Sequence, residues 1–188
     1  MATLPTYHLS PEEYLAIERA AAYKSEYVDG IMYATAGASE RHNLIVGNII
    51  TELNGRLRTT DCKVYPSDMK VLVPGSQRFF YPDVSVVCGE SKFFDDKKDV
   101  LTNPVLIVEV LSETTSAFDR GKKFQSYQSI ETTLEYVLVA QDEIVVEDFL
   151  RQRDAQWLYT RASGPDASIL LRSIGCELQL RDIYNKIA

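Results

Sequence analysis

Residues Asn103–Ser112, NPVLIVEVLS, are apolar on both alternations except at Glu109. A strand with one wet face alternates apolar with polar side chains, whereas a run that is apolar on both sides is covered on both faces. The stretch therefore predicts a central strand with a buried Glu109, and a buried carboxylate needs a partner. Tyr81–Cys88, YPDVSVVC, poses the same problem, because Asp83 follows Pro82 and opens a second apolar run although aspartate is depleted in strands. The intervening Gly89–Asn103, GESKFFDDKKDVLTN, is long enough to loop over a sheet edge, so the two runs can lie side by side.

Upstream, SPEEYLAIE reads as a helix start, with Ser10 as N-cap and Pro11 at the first helical position. KSEYVDGIMYATA reads as two short strands turning at Asp29-Gly30. In SERHNLIVGNIITELNGRLRT, Val46, Ile50, Leu53 and Leu57 recur at helical spacing and predict the buried face of a long helix. Strand-like runs follow at Cys62–Val73 and Tyr81–Cys88, separated by PGSQRFF. Downstream, SETTSAFDRGKKFQSYQSI reads as one helix, then LEYVLVA, EIVVEDFLR and AQWLYTR as strands, then a closing strand and a short helix. The fold class is α/β in the α+β sense, a mixed central sheet flanked by helices. No repeat, low-complexity tract or linker divides residues 1–188, so a single domain is expected.

Composition narrows the partners. With 188 residues and 45% hydrophobic content, the chain can bury a core without covalent staples. The three cysteines, Cys62, Cys88 and Cys176, form no C-x-x-C pair, so reduced thiols are expected, with Cys88 a small core residue. The N-terminal residues lack the pattern of a secretory signal, and no run approaches the ~18 apolar residues of a membrane span. A soluble, cytoplasmic protein that meets no membrane is expected. A formal charge of −7 excludes whole-surface affinity for nucleic acid, which depends on Lys and Arg neutralising phosphates. Any such contact must be local, with Arg41, Arg56, Arg58, Lys63, Lys70 and Arg78 as candidates.

Asp83 and Glu109 on neighbouring strands would repel each other unless something positive intervened. A divalent cation meets that need: Mg²⁺ takes hard oxygen ligands, one or two protein carboxylates and several waters. Asp83 and Glu109 are the candidate metal ligands, with the Val110 carbonyl as a third. Two alternatives stay open. Asp83 also suits a turn cap ahead of a strand, and Lys123 could neutralise Glu109 as a buried ion pair without metal.

SEYVDG, RHNLIV, YPDVSVV, LIVEVLSETT and DRGKKFQSY, in that order over roughly residues 24–140, resemble the restriction-endonuclease-like family of the PD-(D/E)xK nuclease superfamily. The resemblance implies a restriction-endonuclease-like fold and metal-dependent hydrolysis of phosphodiesters, in DNA above all, with Mg²⁺ or Mn²⁺ as cofactor and a homodimer as the assembly. In that superfamily a lysine stands two residues after the glutamate, where this chain has Leu111. The resembled family carries its lysine on the following helix, here within DRGKKFQSY. Helical phase separates the two lysines of that segment: Asp119, Lys123, Tyr127 and Ile130 share one stripe, while Lys122 projects away. Lys123 is thus the catalytic candidate, and Lys122 either a solvated position on the helix face or a candidate phosphate contact. The matching segments also bring in Glu26 as an accessory catalytic carboxylate and His42 as a substrate contact.

Three classes of function follow: a metal-dependent nuclease, a nuclease-fold protein that binds nucleic acid or a protein partner without cutting, and an assembly subunit retaining the fold. The pairs Phe79-Phe80 and Phe93-Phe94 fit base stacking, the edges of the core or a dimer interface.

Overall fold

The computed structural model describes residues 8–35 and 37–187; residues 1–7, on which the expectation about a secretory signal bears, lie outside them. The chain opens with α1 (Pro11–Ala20), where Ser10 and Glu13 cap each other reciprocally. Strands β1 (Ser25–Val28) and β2 (Ile31–Ala34) form a hairpin whose two-residue turn puts Asp29 at φ 52° and Gly30 at φ 90°. Two positive φ values match the right-handed twist of the strands and explain the Asp-Gly choice. Helix α2 (Glu40–Leu57) starts at N-cap Ser39, whose hydroxyl accepts from His42 N.

Next come β3 (Cys62–Pro66), β4 (Lys70–Val73), β5 (Arg78–Phe80), β6 (Val84–Cys88), β7 (Val100–Leu101) and β8 (Leu106–Val110). The helical segment after β8 is broken into α3 (Ser116–Phe118), a π turn (Asp119–Lys123) and α4 (Phe124–Tyr127). Then follow β9 (Glu135–Val139), β10 (Val145–Arg151), β11 (Trp157–Ser163), β12 (Ser168–Leu171), β13 (Cys176–Gln179) and α5 (Leu180–Ile183).

The strands form three sheets rather than one. The central sheet runs β11-β10-β9-β8-β6-β3 and is mixed, with β8 and β9 parallel and the other pairs antiparallel. A second sheet runs β2-β1-β5-β4-β7, and β12 pairs with β13. A strand-like pattern states which faces are covered but not which strand lies alongside, so the β4-β5 hairpin's pairing with β1 and β7 was hidden. The central position of β8 and the burial of Glu109, 3% exposed, are as expected.

One face of the central sheet packs against α2, α5 and the β12-β13 hairpin, joining Ile45, Ile49 and Leu53 to Val84, Val108 and Val137. Fully burying a side chain such as Ile45 or Leu53 contributes roughly 1.5–3 kcal/mol. The other face packs Phe80, Tyr127 and Tyr136 against Ile107 and Leu138. In α2 the buried stripe is Ile45, Ile49, Leu53 and Leu57, so Val46 and Ile50 are only half-buried flanks. LIV sets three apolar residues side by side and NII two, and periodicity alone does not choose between them.

The expectation of three reduced thiols is corrected: Cys62 and Cys88 form a disulfide, and only Cys176 is free. The two stand opposite each other in the β3-β6 register, a proximity that their separation of 26 residues conceals. Among the described residues no helix is long and apolar enough to cross a membrane.

Candidate active site

Four elements meet where the second sheet abuts the central one. Strand β8 carries Glu109 toward the face occupied by Phe80 and Tyr127, since alternation sends Val108 and Val110 to the opposite side. Strand β1 contributes Glu26, the start of β6 contributes Asp83, and the π turn contributes Lys123. π turns recur at functional sites because the wider turn re-aims side chains at the cost of regular hydrogen bonding. This one keeps the expected stripe: Asp119, Lys123, Tyr127 and Ile130 are all buried, while Lys122 is exposed.

Lys123 Nζ lies 2.9 Å from Glu109 Oε1, 3.1 Å from Glu26 Oε1 and 3.7 Å from Asp119 Oδ1. It also sits 5.6 Å from the centroid of the Phe80 ring, a cation-π contact. Tyr127 Oη donates to Glu109 Oε1 (3.1 Å), and Tyr81 N donates to Glu26 Oε1 (3.1 Å). Asp83 Oδ2 accepts from Val110 N at 2.7 Å, which fastens the start of β6 to the end of β8. His42 Nε2 lies 3.2 Å from the same oxygen, a contact that requires a proton on Nε2. The structure thus brings Glu26, Asp83, Glu109, Val110, Lys123 and His42 together, and leaves Lys122 on the surface.

The electrostatics show a shortage of positive charge. Burial pushes the Glu109 carboxyl well above the usual range; Lys123 opposes the shift, and Asp119, Asp83 and Glu26 add to it. Burial pulls the Lys123 ammonium downward, but Glu109, Glu26 and Asp119 outweigh it and hold its pKa above the ordinary lysine value. Asp119 is raised by burial, against the pull of Lys123 and Thr115. Three carboxylates, Glu26, Glu109 and Asp119, lie within 3.7 Å of one ammonium, and Asp83 adds a fourth negative charge near Glu109.

A hard cation fits this donor set. Among the described residues no hydrogen bond reaches Asp83 Oδ1 or Glu109 Oε2, so each acid keeps one oxygen free on neighbouring strands. The site is not a three-sided cage. The one triad among the described residues whose ligand atoms all lie within 4.8 Å of one another is Asp61, Cys62 and Cys88, whose two sulfurs are already bonded together.

Four of the six residues expected to form a basic patch are committed elsewhere. Arg56 pairs with Glu52 and donates to the Glu177 carbonyl, while Lys63 donates to the Gly89 carbonyl. Lys70 is buried against Asp99 and Tyr81, and Arg78 forks onto Asp29. Phe79 and Phe80 are core residues rather than base-stacking surfaces.

Three contributors escaped the sequence reading as parts of the site. Asp119 and Tyr127 were legible only as stripe partners of Lys123, four residues away on either side. Gln141 carried no signal; its Nε2 donates to the Leu111 carbonyl while its Oε1 accepts from Ser39 Oγ, which ties the start of α2 to the end of β8. Leu111, where the superfamily pattern has lysine, is buried beside Phe80 and Tyr127.

A mixed sheet with acids at adjoining strand ends and a lysine facing them defines the restriction-endonuclease-like class. A crystal structure described as a putative nuclease belonging to DUF820, from Anabaena variabilis, shares the fold at a TM-score of 0.77 and 18% identity, over 94% of this chain and 97% of that one. The chain belongs to the family Uma2, described as "Putative restriction endonuclease", which it matches over residues 11–181. It is 37% identical over 169 residues to the uncharacterized protein sll1609 of Synechocystis sp., covering 90% of this chain and 96% of that one. It is 36% identical over 186 residues to slr1290 of the same organism, covering 98% and 95%.

Proposed function

We propose that the protein is a metal-dependent endonuclease that hydrolyses phosphodiester bonds in DNA. The observation that carries this reading is the Lys123 ammonium, held between Glu109 and Glu26 beside two carboxylates that each keep an unclaimed oxygen. Asp83, Glu109 and the Val110 carbonyl would hold Mg²⁺ or Mn²⁺. Such an ion supplies Lewis acidity toward the phosphate and lowers the pKa of a bound water.

The chain's own groups do the rest. Lys123 presents a fixed positive charge where negative charge grows on the phosphate oxygens, in surroundings too dry to screen it. Glu26 and the Phe80 face aim that ammonium. His42 and the Val110 N–H hold one Asp83 oxygen, which leaves the other for the metal. Lys122, exposed on the same segment, contacts a flanking phosphate. The choice of DNA rests on the restriction-endonuclease description of the family, and a homodimer would supply the two centres that double-strand cleavage needs.

A second reading, a nuclease fold that binds without cutting, draws on the same ion pair, because Lys123 already satisfies Glu109 without metal. A cleavage assay with Mg²⁺ or Mn²⁺ on plasmid DNA, single-stranded DNA and RNA separates the two. Cleavage by the parent and its loss in Asp83→Ala is the expected outcome. A parent that cuts none of these with either ion favours the binding module.

A further inference from the structure

The three carboxylates around Lys123 are not equivalent. Glu109 and Glu26 touch the ammonium, whereas Asp119 Oδ1, at 3.7 Å, is one small side-chain rotation away. Glu109 is also the carboxylate that a divalent ion would claim. An ammonium and a divalent cation sharing one carboxylate, where Lys123 is only 5% exposed, repel each other with little water to screen them. If the ammonium left the site or lost its proton, the charge that serves the transition state would go with it. A third carboxylate on the far end of the same turn offers another course.

The turn anchors the backbone that carries this carboxylate. Asp119 N donates to the Thr115 carbonyl (2.9 Å), and the buried Tyr136 hydroxyl donates to the Asp119 carbonyl (3.0 Å). The adjoining Arg120 is paired with Glu147 of β10. The backbone at Asp119 is therefore anchored, while Lys123 has a long flexible stem. A buried ionised acid costs folding free energy, and no packing purpose requires the charge there.

We propose that Asp119 is a positioning residue that takes up the Lys123 ammonium when a divalent cation binds Glu109. The exchange moves a contact and breaks no covalent bond: Lys123 gives up Glu109, keeps its proton, and stays beside the phosphate. The inference rests on the metal-dependent reading above. Asp119 itself touches neither ion nor substrate.

Its signature is a dependence on Lys123. Without the Asp119 charge, the ammonium holds on to Glu109 and competes with the metal, so Asp119→Asn should weaken Mn²⁺ and Mg²⁺ binding about tenfold, the scale set by groups that support metal ligands. In a Lys123→Met background the competitor is gone, and the same substitution should cost no more than about threefold, the residue of simple charge attraction. Asp119→Glu, which keeps the charge, should restore most of the affinity. Activity should follow, with kcat falling and KM nearly unchanged.

Titration calorimetry of Mn²⁺ and Mg²⁺ into the full chain and the variants of this cycle is the test, with circular dichroism to establish folding and Asp119→Ser as a second neutral variant. Equal losses with and without Lys123 would overturn the positioning role and leave the metal site standing. A parent that binds neither ion would remove the metal-dependent reading, and this inference with it.

Discussion

The central sheet buries carboxylates on both of its faces and settles them in opposite ways. On one face Glu109, Glu26 and Asp119 gather around a lysine. On the other, Glu135 of β9 and Asp148 of β10 are almost wholly buried beneath the β12-β13 hairpin. Glu135 accepts from the backbone N–H groups of Arg172 (2.8 Å) and Ser173 (3.2 Å) and from Ser173 Oγ (2.6 Å). Asp148 has its pKa pushed up to about 8, by burial first and then by Glu135, so at neutral pH it holds a proton that Glu135 can share. That pair is compensated by a proton and by fixed N–H groups, none of which can yield to a metal without dismantling the hairpin turn. The site cluster is compensated instead by a side-chain ammonium on a long stem, which a metal could displace from Glu109 without breaking the backbone of the turn. Burial of acids is thus a poor marker of function by itself, and the kind of positive group beside them is the informative feature.

The largest expected effect breaks the comparison at its strong end. Lys123→Ala should lower kcat about 100-fold or more while metal affinity does not fall, because the ammonium serves the transition state and competes with the ion. Glu135→Gln, the matching loss on the other face, should leave kcat unchanged and be felt only in stability. Single-turnover kinetics with calorimetry checks both. A Lys123→Ala variant that cuts like the parent would mean that the ammonium only neutralises buried acids, as a structural pair would.

A smaller effect sharpens the other face. Asp148 has a folded pKa of about 8, against an ordinary aspartate value near 3.9 in the unfolded chain. Between those values the native state binds more protons than the unfolded state. Its contribution is therefore fully present below about pH 4 and is lost as pH rises toward about 8, by up to about 1.4 kcal/mol per pH unit. Asp148→Asn puts a permanent donor beside Glu135. The variant should gain on the parent in urea midpoint as pH rises from about 5 to about 8. Parallel pH profiles for the two proteins would show that Asp148 carries no extra proton.

What could be read in advance follows the same divide between local and distant determinants. The apolar run around Glu109, the Asp29-Gly30 turn and the Asp119-Lys123-Tyr127 stripe are each set within a few residues, and all three stand in the structure. The break of that last segment into a π turn left no mark in the pattern, since an i,i+4 pair stays on one stripe in either helix. Strand pairing is a property of two distant segments. For that reason the second sheet, the Cys62–Cys88 link and the partners of Arg56, Lys70 and Arg78 stayed out of view. The basic residues misled because a sequence counts charges without showing which are already paired. Glu26 and His42 entered through family resemblance alone; their contacts to Lys123 and Asp83 arise from β1 and α2, which approach from different directions.

The smallest expected effect belongs to Lys122, one residue from Lys123 and opposite to it in every physical respect. Lys123 is buried among acids, whereas Lys122 is exposed on the surface of the same turn. Under the proposed nuclease function a lysine in that position would meet a phosphate of the bound strand, a contact that positions without reading sequence. Lys122→Ala should therefore leave kcat within about twofold, weaken DNA binding modestly and to the same degree for different sequences, and reduce the slope of log affinity against log salt by about one. Binding titrations at several salt concentrations, with and without the substitution, measure that slope. An unchanged slope would take Lys122 out of the interface. A collapse of kcat would instead mean that the helical phase assigning the two lysines is inverted, which the contacts of Lys123 with Glu109 and Glu26 argue against.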